Sequence, residues 1–319
     1  MEIFDNDLNA EIIGFGALNV DKLYSVENIV SKDGESFIKS ETDTPGGSAT
    51  NTIVGLARLG CSTSIIGKIA EDADGDLMEY HLAVNGVYTN NLIYSETGST
   101  GKCLGFVDGE GNRGLYIDPG VNDEIKIGEI NPLNIMRCKI MHYTSFVGDS
   151  FKAQIDLLEK LNDECILSFD PGMLYVKKGF DELKPILERT NILLINESEL
   201  RLLCNNNKDP LKKLAIGFLD MGIETVVVKR GSKGAFAINN SRECEVESFK
   251  CDVVDTTGAG DSFNSGFLYS YLKGYDLEKS CNIGNWVASK SIEGFGMEKF
   301  PTLKDLEEFF LNNENHIQL

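Results

Sequence analysis

Short, β-rich apolar runs recur along the chain: EIIGFG (11–16), STSIIG (62–67), KIMHY (139–143), CILSF (165–169), NILLI (191–195) and TVVVK (225–229). Between many of them lie stretches of helical period, such as Ile155, Leu158 and Leu161, then Leu183, Ile186 and Leu187. Strand–helix alternation predicts a mainly parallel sheet covered on both faces, with the active site at the carboxyl ends of the strands. Two segments, about 22–45 and 98–118, break that rhythm. They are polar, alternating and turn-rich, and VDGEGNRGLYID reads as a hairpin around Gly109 and Gly111. Together they could form a small second sheet, either a flap beside a cleft or an inert surface or dimer-contact hairpin. Near the end, FPTLKDLEEFFLNN starts like a capped helix with Leu303, Leu306, Phe309 and Phe310 on one face.

Composition narrows the class. The chain has 319 residues, 42% apolar and 25% charged, which suits a folded protein with a real core and no low-complexity segment. Fifty acidic against 30 basic residues give a formal net charge of −20, which disfavours binding to nucleic acid or an anionic membrane surface. Any phosphate must be held locally. Eight cysteines lie scattered without a C-x-x-C pair, and the three histidines (His81, His142, His316) show no partnering spacing. Buried thiols in a reducing cytosol fit better than zinc or disulfides. The N-terminal MEIFDNDLNAEII carries acids where a signal peptide would be basic, and no run approaches the roughly 20 apolar residues that span a membrane. A cytoplasmic protein is expected.

The chemistry concentrates in DTTGAGD (255–261). Phe263, Phe267 and Tyr271 follow at a helical spacing and Gly274 stops the helix, so 258–260 is the loop that enters it. Backbone N–H groups at a helix start make an anion site, and glycines let a phosphate approach closely. Asp261 could be a capping residue. It could also be a general base, accepting a hydroxyl proton as the oxygen attacks phosphorus. Upstream, TPGGSATNTIVGLARLG (44–60) leads through Gly46 and Gly47 into a helix with Ile53, Leu56 and Ala57 on its apolar face. Asn51 falls in its first turn, where an amide that donates and accepts suits the hydroxyls of a polyol. A dinucleotide fingerprint through Gly14 and Gly16 fails, because its third glycine would fall at Asn19.

GGSATNTIVGLARLG together with DTTGAGDSFNSGF, about 200 residues apart, resembles the two signature segments of the ribokinase-like (phosphofructokinase-B-type) carbohydrate kinases. GALNVD, INESEL and VKRGSKGAF extend the resemblance over essentially the whole chain. It implies one three-layer α/β/α kinase domain over 1–319 with a mainly parallel central sheet and a small β-sheet lid from about 22–45 and 98–118. It also implies ATP as phosphoryl donor, Mg2+ as cofactor and a sugar or nucleoside as acceptor.

By the same resemblance, Asp261 is the catalytic base, and the amides of Gly258, Ala259 and Gly260 form the anion hole. Asn19, Asp21, Gly46, Gly47 and Asn51 bind the acceptor. Asn196, Lys229, Gly231, Gly234 and Asn285 lie on the nucleotide side. Glu199 organises magnesium through water, and Asp255 with Gly296 is a candidate potassium site. Asn196 and Glu199 could equally be capping residues, and Lys229 a surface lysine. Ribose or a related sugar is the default acceptor. A nucleoside kinase of the adenosine, inosine or cytidine type is the alternative, in which Phe106 and Tyr116 either stack on the base or pack the lid. A non-catalytic sugar- or nucleotide-binding regulator is a third class, against which the retained Asp255 and Asp261 count. The lid could also clasp a second copy in a homodimer.

Overall fold

The computed structural model describes residues 10–110 and 112–312. The acidic stretch 1–9, Gly111 of the expected hairpin and His316 lie outside the described residues. All six apolar runs become strands, and they alternate with helices. In chain order the elements are β1 (Ile12–Phe15), β2 (Asn19–Val26), β3 (Ile38–Gly46), α1 (Ser48–Arg58), β4 (Thr63–Ala70), α2 (Ala73–Val84), β5 (Leu92–Ser95), β6 (Gly101–Val107) and β7 (Arg113–Asp118). They continue with β8 (Ile140–Thr144), α3 (Ser150–Leu158), β9 (Ile166–Asp170), α4 (Gly172–Val176), α5 (Phe180–Arg189), β10 (Ile192–Asn196), α6 (Glu197–Leu203) and α7 (Leu211–Leu219). Last come β11 (Thr225–Lys229), β12 (Ala235–Asn239), β13 (Glu243–Val246), α8 (Ala259–Leu272), α9 (Leu277–Ser291) and α10 (Leu303–Asn312).

The large sheet runs β13-β12-β11-β10-β9-β8-β1-β4-β5. It is parallel from β11 to β5, while β12 and β13 turn back antiparallel at one edge. The outer strands β5, β12 and β13, of which β5 and β13 are the edges, were not anticipated, because runs of four or five residues beside turns carry little period. The helix expected to include Leu161 ends at Leu158, and Leu161 packs into the core from the turn beyond. Because the inner strands are buried on both faces, they read as continuous apolar runs. Side chains alternate between two apolar layers. One contains Phe15, Tyr143, Phe169 and Leu193 with residues of α3, α5, α6 and α7. The other contains Ile12, Leu194 and Val227 with residues of α1, α8 and α9. Helices therefore cover both faces.

The two rhythm-breaking segments do form a second sheet, of order β3-β2-β6-β7. The first strand starts slightly earlier than expected, at Asn19, and β6 slightly later, at Gly101; β2 pairs β6 in parallel while β3 and β7 are antiparallel edges. At the β6–β7 turn, Asp108 Oδ1 accepts from the Glu110 and Asn112 N–H groups, each at 3.0 Å. Lys22 and Lys102 both reach Asp74 of α2, at 2.9 and 3.3 Å, which ties this sheet to the body. All eight cysteines are free thiols. Among the described residues no helix is long and apolar enough to cross a membrane.

Candidate active site

The glycine loop enters α8 as its residue types require. Gly258 takes the left-handed conformation (φ 73°) at the helix N-cap, where a side chain would be strained. Thr257 N–H donates to Asp255 Oδ1 at 2.9 Å, and Ala259 N–H donates to Thr256 O at 3.2 Å, so the Ala259 amide is spent within the loop. The first bond that closes on the helix is from Ser262 N–H to Gly258 O, at 2.9 Å. The amides of Gly258 and Gly260 stand ahead of it at the positive end of the dipole.

A second helix start meets this one. Gly47 (φ 103°) precedes α1, and Asn51 N–H donates to Gly47 O at 2.9 Å. α1 crosses α8 closely because Gly55 carries no side chain where Ser265 and Phe300 press against it. Ser265 Oγ donates to Thr52 O and to Asp261 O, each at 2.9 Å. This packing brings together residues 210 apart in sequence: Asn51 Nδ2 donates to Asp261 Oδ2 at 2.9 Å. Burial raises the Asp261 carboxyl from 3.8 to about 7; the Asn51 hydrogen bond, Lys229 and Ser48 oppose the rise and Asp170 adds to it. A carboxylate near neutrality is poised to accept and release a proton.

The small sheet supplies the next groups. Asn19, Asp21 and Leu23 alternate onto one face of β2. A side chain on Gly46 would collide with the Asp21 carboxylate, so Asp21 lies over the Gly46–Gly47 turn. Burial raises Asp21 to about 6. Thr44, opposite Asp21, is 3.3 Å from the place of a Cβ on Gly296. This face therefore fronts the 292–299 loop and, through it, the heptapeptide: Ile292 O accepts from the Val254 and Asp255 N–H groups at 2.8 and 3.3 Å. Asn122, which sequence reasoning missed, is buried. It bonds both backbone groups of Leu18 and donates to Asn19 Oδ1 at 3.0 Å. Phe106 and Tyr116 lie on the opposite face of the sheet. Phe106 stacks on Tyr24 with ring centroids 5.1 Å apart, and Tyr116 meets its edge, so they pack the sheet and do not front the Asp21 side.

On the other side of the glycine loop, Lys229 is no surface lysine. Its Nζ donates to Asp170 Oδ2 at 2.5 Å and to Asn264 Oδ1 at 3.1 Å. Asp170 and Asn264 were not anticipated. Asn196 and Glu199 form a reciprocal cap on α6: Asn196 Oδ1 accepts from Glu199 N–H at 2.9 Å, and Glu199 Oε2 accepts from Asn196 N–H at 3.1 Å. Burial raises the Glu199 carboxyl, helped by Asp170. Gly231 and Gly234 flank a turn after β11, both at positive φ. Space is open beside Gly231, whereas Gly234 is pressed against the chain at 246–248. Asn285 Nδ2 donates to Val246 O and Glu247 O at 3.3 and 3.1 Å, so its amide fixes that chain.

This donor set can hold a nucleotide triphosphate. Gly258 and Gly260 are partly exposed and carry no side chain, and a Cβ on Gly260 would lie 3.4 Å from Lys229 Nζ, so an ammonium backs the loop. Among the described residues no three His, Cys, Asp or Glu side chains converge, so magnesium would rest on phosphate oxygens, waters and at most one or two carboxylates, and Glu199 already uses one oxygen as a cap. A hydride-transfer cofactor finds no fingerprint, since Gly14 and Gly16 lead into β2 and not into a helix.

The pfkB family carbohydrate kinase profile matches residues 9–303. The chain is 40% identical over 247 residues to a protein of Archaeoglobus fulgidus named "Uncharacterized sugar kinase", covering 76% of this chain and 96% of that one. It is 30% identical over 284 residues to a nucleoside kinase of Methanocaldococcus jannaschii, covering 89% and 90%. The crystal structure of ribokinase from Thermotoga maritima superposes with a TM-score of 0.84 at 25% identity, over 95% of this chain and all of that one. With this ribokinase-like fold and that match, the chain belongs to the pfkB family of carbohydrate kinases, phosphotransferases that act on hydroxyl groups.

Proposed function

We propose that the protein transfers the γ-phosphoryl group of ATP to a hydroxyl of a ribose-like sugar, with Asp261 as general base. The observation that carries this reading is the 2.9 Å contact of Asn51 Nδ2 with Asp261 Oδ2, which joins the polyol-binding turn to the anion loop. Asn19, Asp21, Gly47 and Asn51 bind the acceptor's hydroxyls, and the amides of Gly258 and Gly260 take the transferring phosphoryl oxygens. Asp261 accepts the hydroxyl proton as oxygen bonds to phosphorus and the bond to the β-phosphate oxygen breaks, then loses that proton to water. Asn196 and Glu199 would hold the waters of a magnesium ion, which when bound would neutralise charge on the phosphates. Lys229, Gly231, Gly234 and Asn285 border the nucleotide. The small sheet serves as a lid to one kinase domain, excluding water when it closes. Asp255, with the 292–299 loop and Gly296, would hold potassium.

One observation favours a nucleoside as acceptor. On the Asp21-bearing face, Leu23 and Leu115 converge over Gly105, with side-chain atoms 2.6 and 3.3 Å from the place of its Cβ. An apolar shelf beside a hydroxyl site suits a flat base. The edge strands β3 and β7, with exposed Ile38 and Ile117, would pair the lid with a second copy.

A coupled assay of ADP release across pentoses, hexoses, sugar phosphates and nucleosides, with and without potassium, tests the reading. Turnover on a ribose-bearing acceptor is expected; a kcat/KM at least tenfold higher for a nucleoside than for ribose selects the shelf. No turnover on any of them sinks it.

A further inference from the structure

Behind the anion loop lies a cluster drawn from three elements. Asp170 ends β9, Lys229 ends β11, and Asn264 sits in the second turn of α8. Besides the two bonds from Lys229 Nζ, Asn264 Nδ2 donates to the same Asp170 Oδ2, at 2.6 Å. Asp170 is 7% exposed and Asn264 is fully buried. The Lys229 ammonium lies against the back of Gly260, 3.4 Å from where a Cβ would stand.

Such a pair is a poor device for stability, because desolvating two charges offsets most of their attraction. It is a good device for placing one charge. A lysine ammonium on a four-carbon stem otherwise samples many rotamers. Here Asp170 and Asn264 take two of its three donors, which leaves the third for the loop side.

We propose that Asp170, together with Asn264, is a positioning residue for phosphoryl transfer: it holds the Lys229 ammonium behind Gly260 so that the loop presents a fixed positive charge to the phosphoryl group. The inference rests on Asp261 being the general base. The titratable and charged groups that face the cluster are Asp261 from α8, Glu199 from α6 and His142 from β8. Burial lowers His142 to about 4, so it stays neutral. Burial pushes Asp170 up, but Lys229, the Asn264 amide and His142 more than offset it and bring its carboxyl below the usual range. Asp170 is therefore anionic in any neutral assay. At Asp261, the Asp170 charge raises the affinity for a proton and the Lys229 charge lowers it.

The two charges should thus leave opposite signatures. Asp170→Asn and Lys229→Met are compared with wild type by kcat, acceptor KM and the pH dependence of kcat/KM, with circular dichroism melts to establish folding. Each variant is expected to lose about 10–100-fold in kcat, with acceptor KM within about twofold. The acid limb should move to lower pH by about one unit in Asp170→Asn and to higher pH in Lys229→Met. A residue that only braced the fold would leave kcat unchanged in a folded variant, whatever its charge does to the limbs. If Asp170→Asn melts below the assay temperature, Lys229→Met alone decides, and its full kcat would overturn the proposal. Limbs that move in the same direction, or full kcat in both folded variants, would also overturn it. Asp261→Asn in the same assay separates the two claims: an active Asp261→Asn refutes the general base, whereas an inactive one beside fully active Asp170→Asn and Lys229→Met refutes only the positioning role.

Discussion

Replacing Asp261 by Asn should remove phosphoryl transfer and at the same time make the protein more stable in alkali. The substitution keeps shape and removes the titration. General-base catalysis contributes about 10² to 10⁴ in rate, so kcat should fall by that factor while calorimetric binding of the acceptor is retained. The stability effect follows from linkage. The wild-type carboxyl titrates at about 7 when folded and near 3.8 when unfolded. Between those values the folded state binds the extra proton, so the stability this group confers is complete below pH 3.8 and is lost as pH rises towards 7. At about 1.36 kcal/mol per unit the ceiling is about 4 kcal/mol. Asp261 is partly exposed, and solvent screening reduces this to about 1–2 kcal/mol between pH 5 and 8.5. For 319 residues the unfolding entropy is about 0.7 kcal/mol/K. The melting temperature of Asp261→Asn relative to wild type should therefore be about 2–3 °C higher at pH 8.5 than at pH 5. A constant difference across that range would refute the desolvated environment assigned to Asp261, and full activity would refute its role.

Three further substitutions probe the surroundings of that carboxyl. Asn51→Ala removes a hydrogen bond that lowers the Asp261 pKa, so the acid limb of kcat/KM should move to higher pH and the loss should be greater at pH 6 than at pH 8.5. Asp21→Asn should raise acceptor KM by about 10–100-fold, the worth of one charge-assisted hydrogen bond, and leave ATP KM unchanged in steady-state kinetics. Asn122→Ala strands both buried backbone groups of Leu18; a cost of about 2–3 kcal/mol should appear as a melting temperature about 3–4 °C lower.

Much of the site was legible because its residues are local to helix starts. Glycines followed at once by a helical period locate a loop that enters a helix without any knowledge of the fold, and Gly258 and Gly47 sit at the N-caps where that logic requires. Asn51 and Asp261 were each readable alone, but their contact was not, since it depends on two helices crossing at Gly55. Asp170 carried even less signal. In FDPG it reads as a strand end before a turn, and its importance comes from Lys229 and Asn264, 59 and 94 residues away. Asn122 is the same case, a polar residue in a short turn whose partners are 103 and 104 residues off.

The aromatic residues of the small sheet show most sharply what a pattern leaves open. Alternation along a strand separates two faces but does not say which one fronts the cleft, and a slip of one residue exchanges them. Here the register decides. Asp21 pairs with Cys103 across the parallel β2–β6 ladder, so Cys103 shares its face, and Phe106, an odd number of positions further on, points the other way. Tyr116 pairs with Leu104 and follows Phe106 to the far face. The same parity brings Leu23, Gly105 and Leu115 to the Asp21 side. The proposed apolar shelf was therefore present in the small-sheet segments from the start, in two leucines and a glycine that no aromatic motif would have singled out.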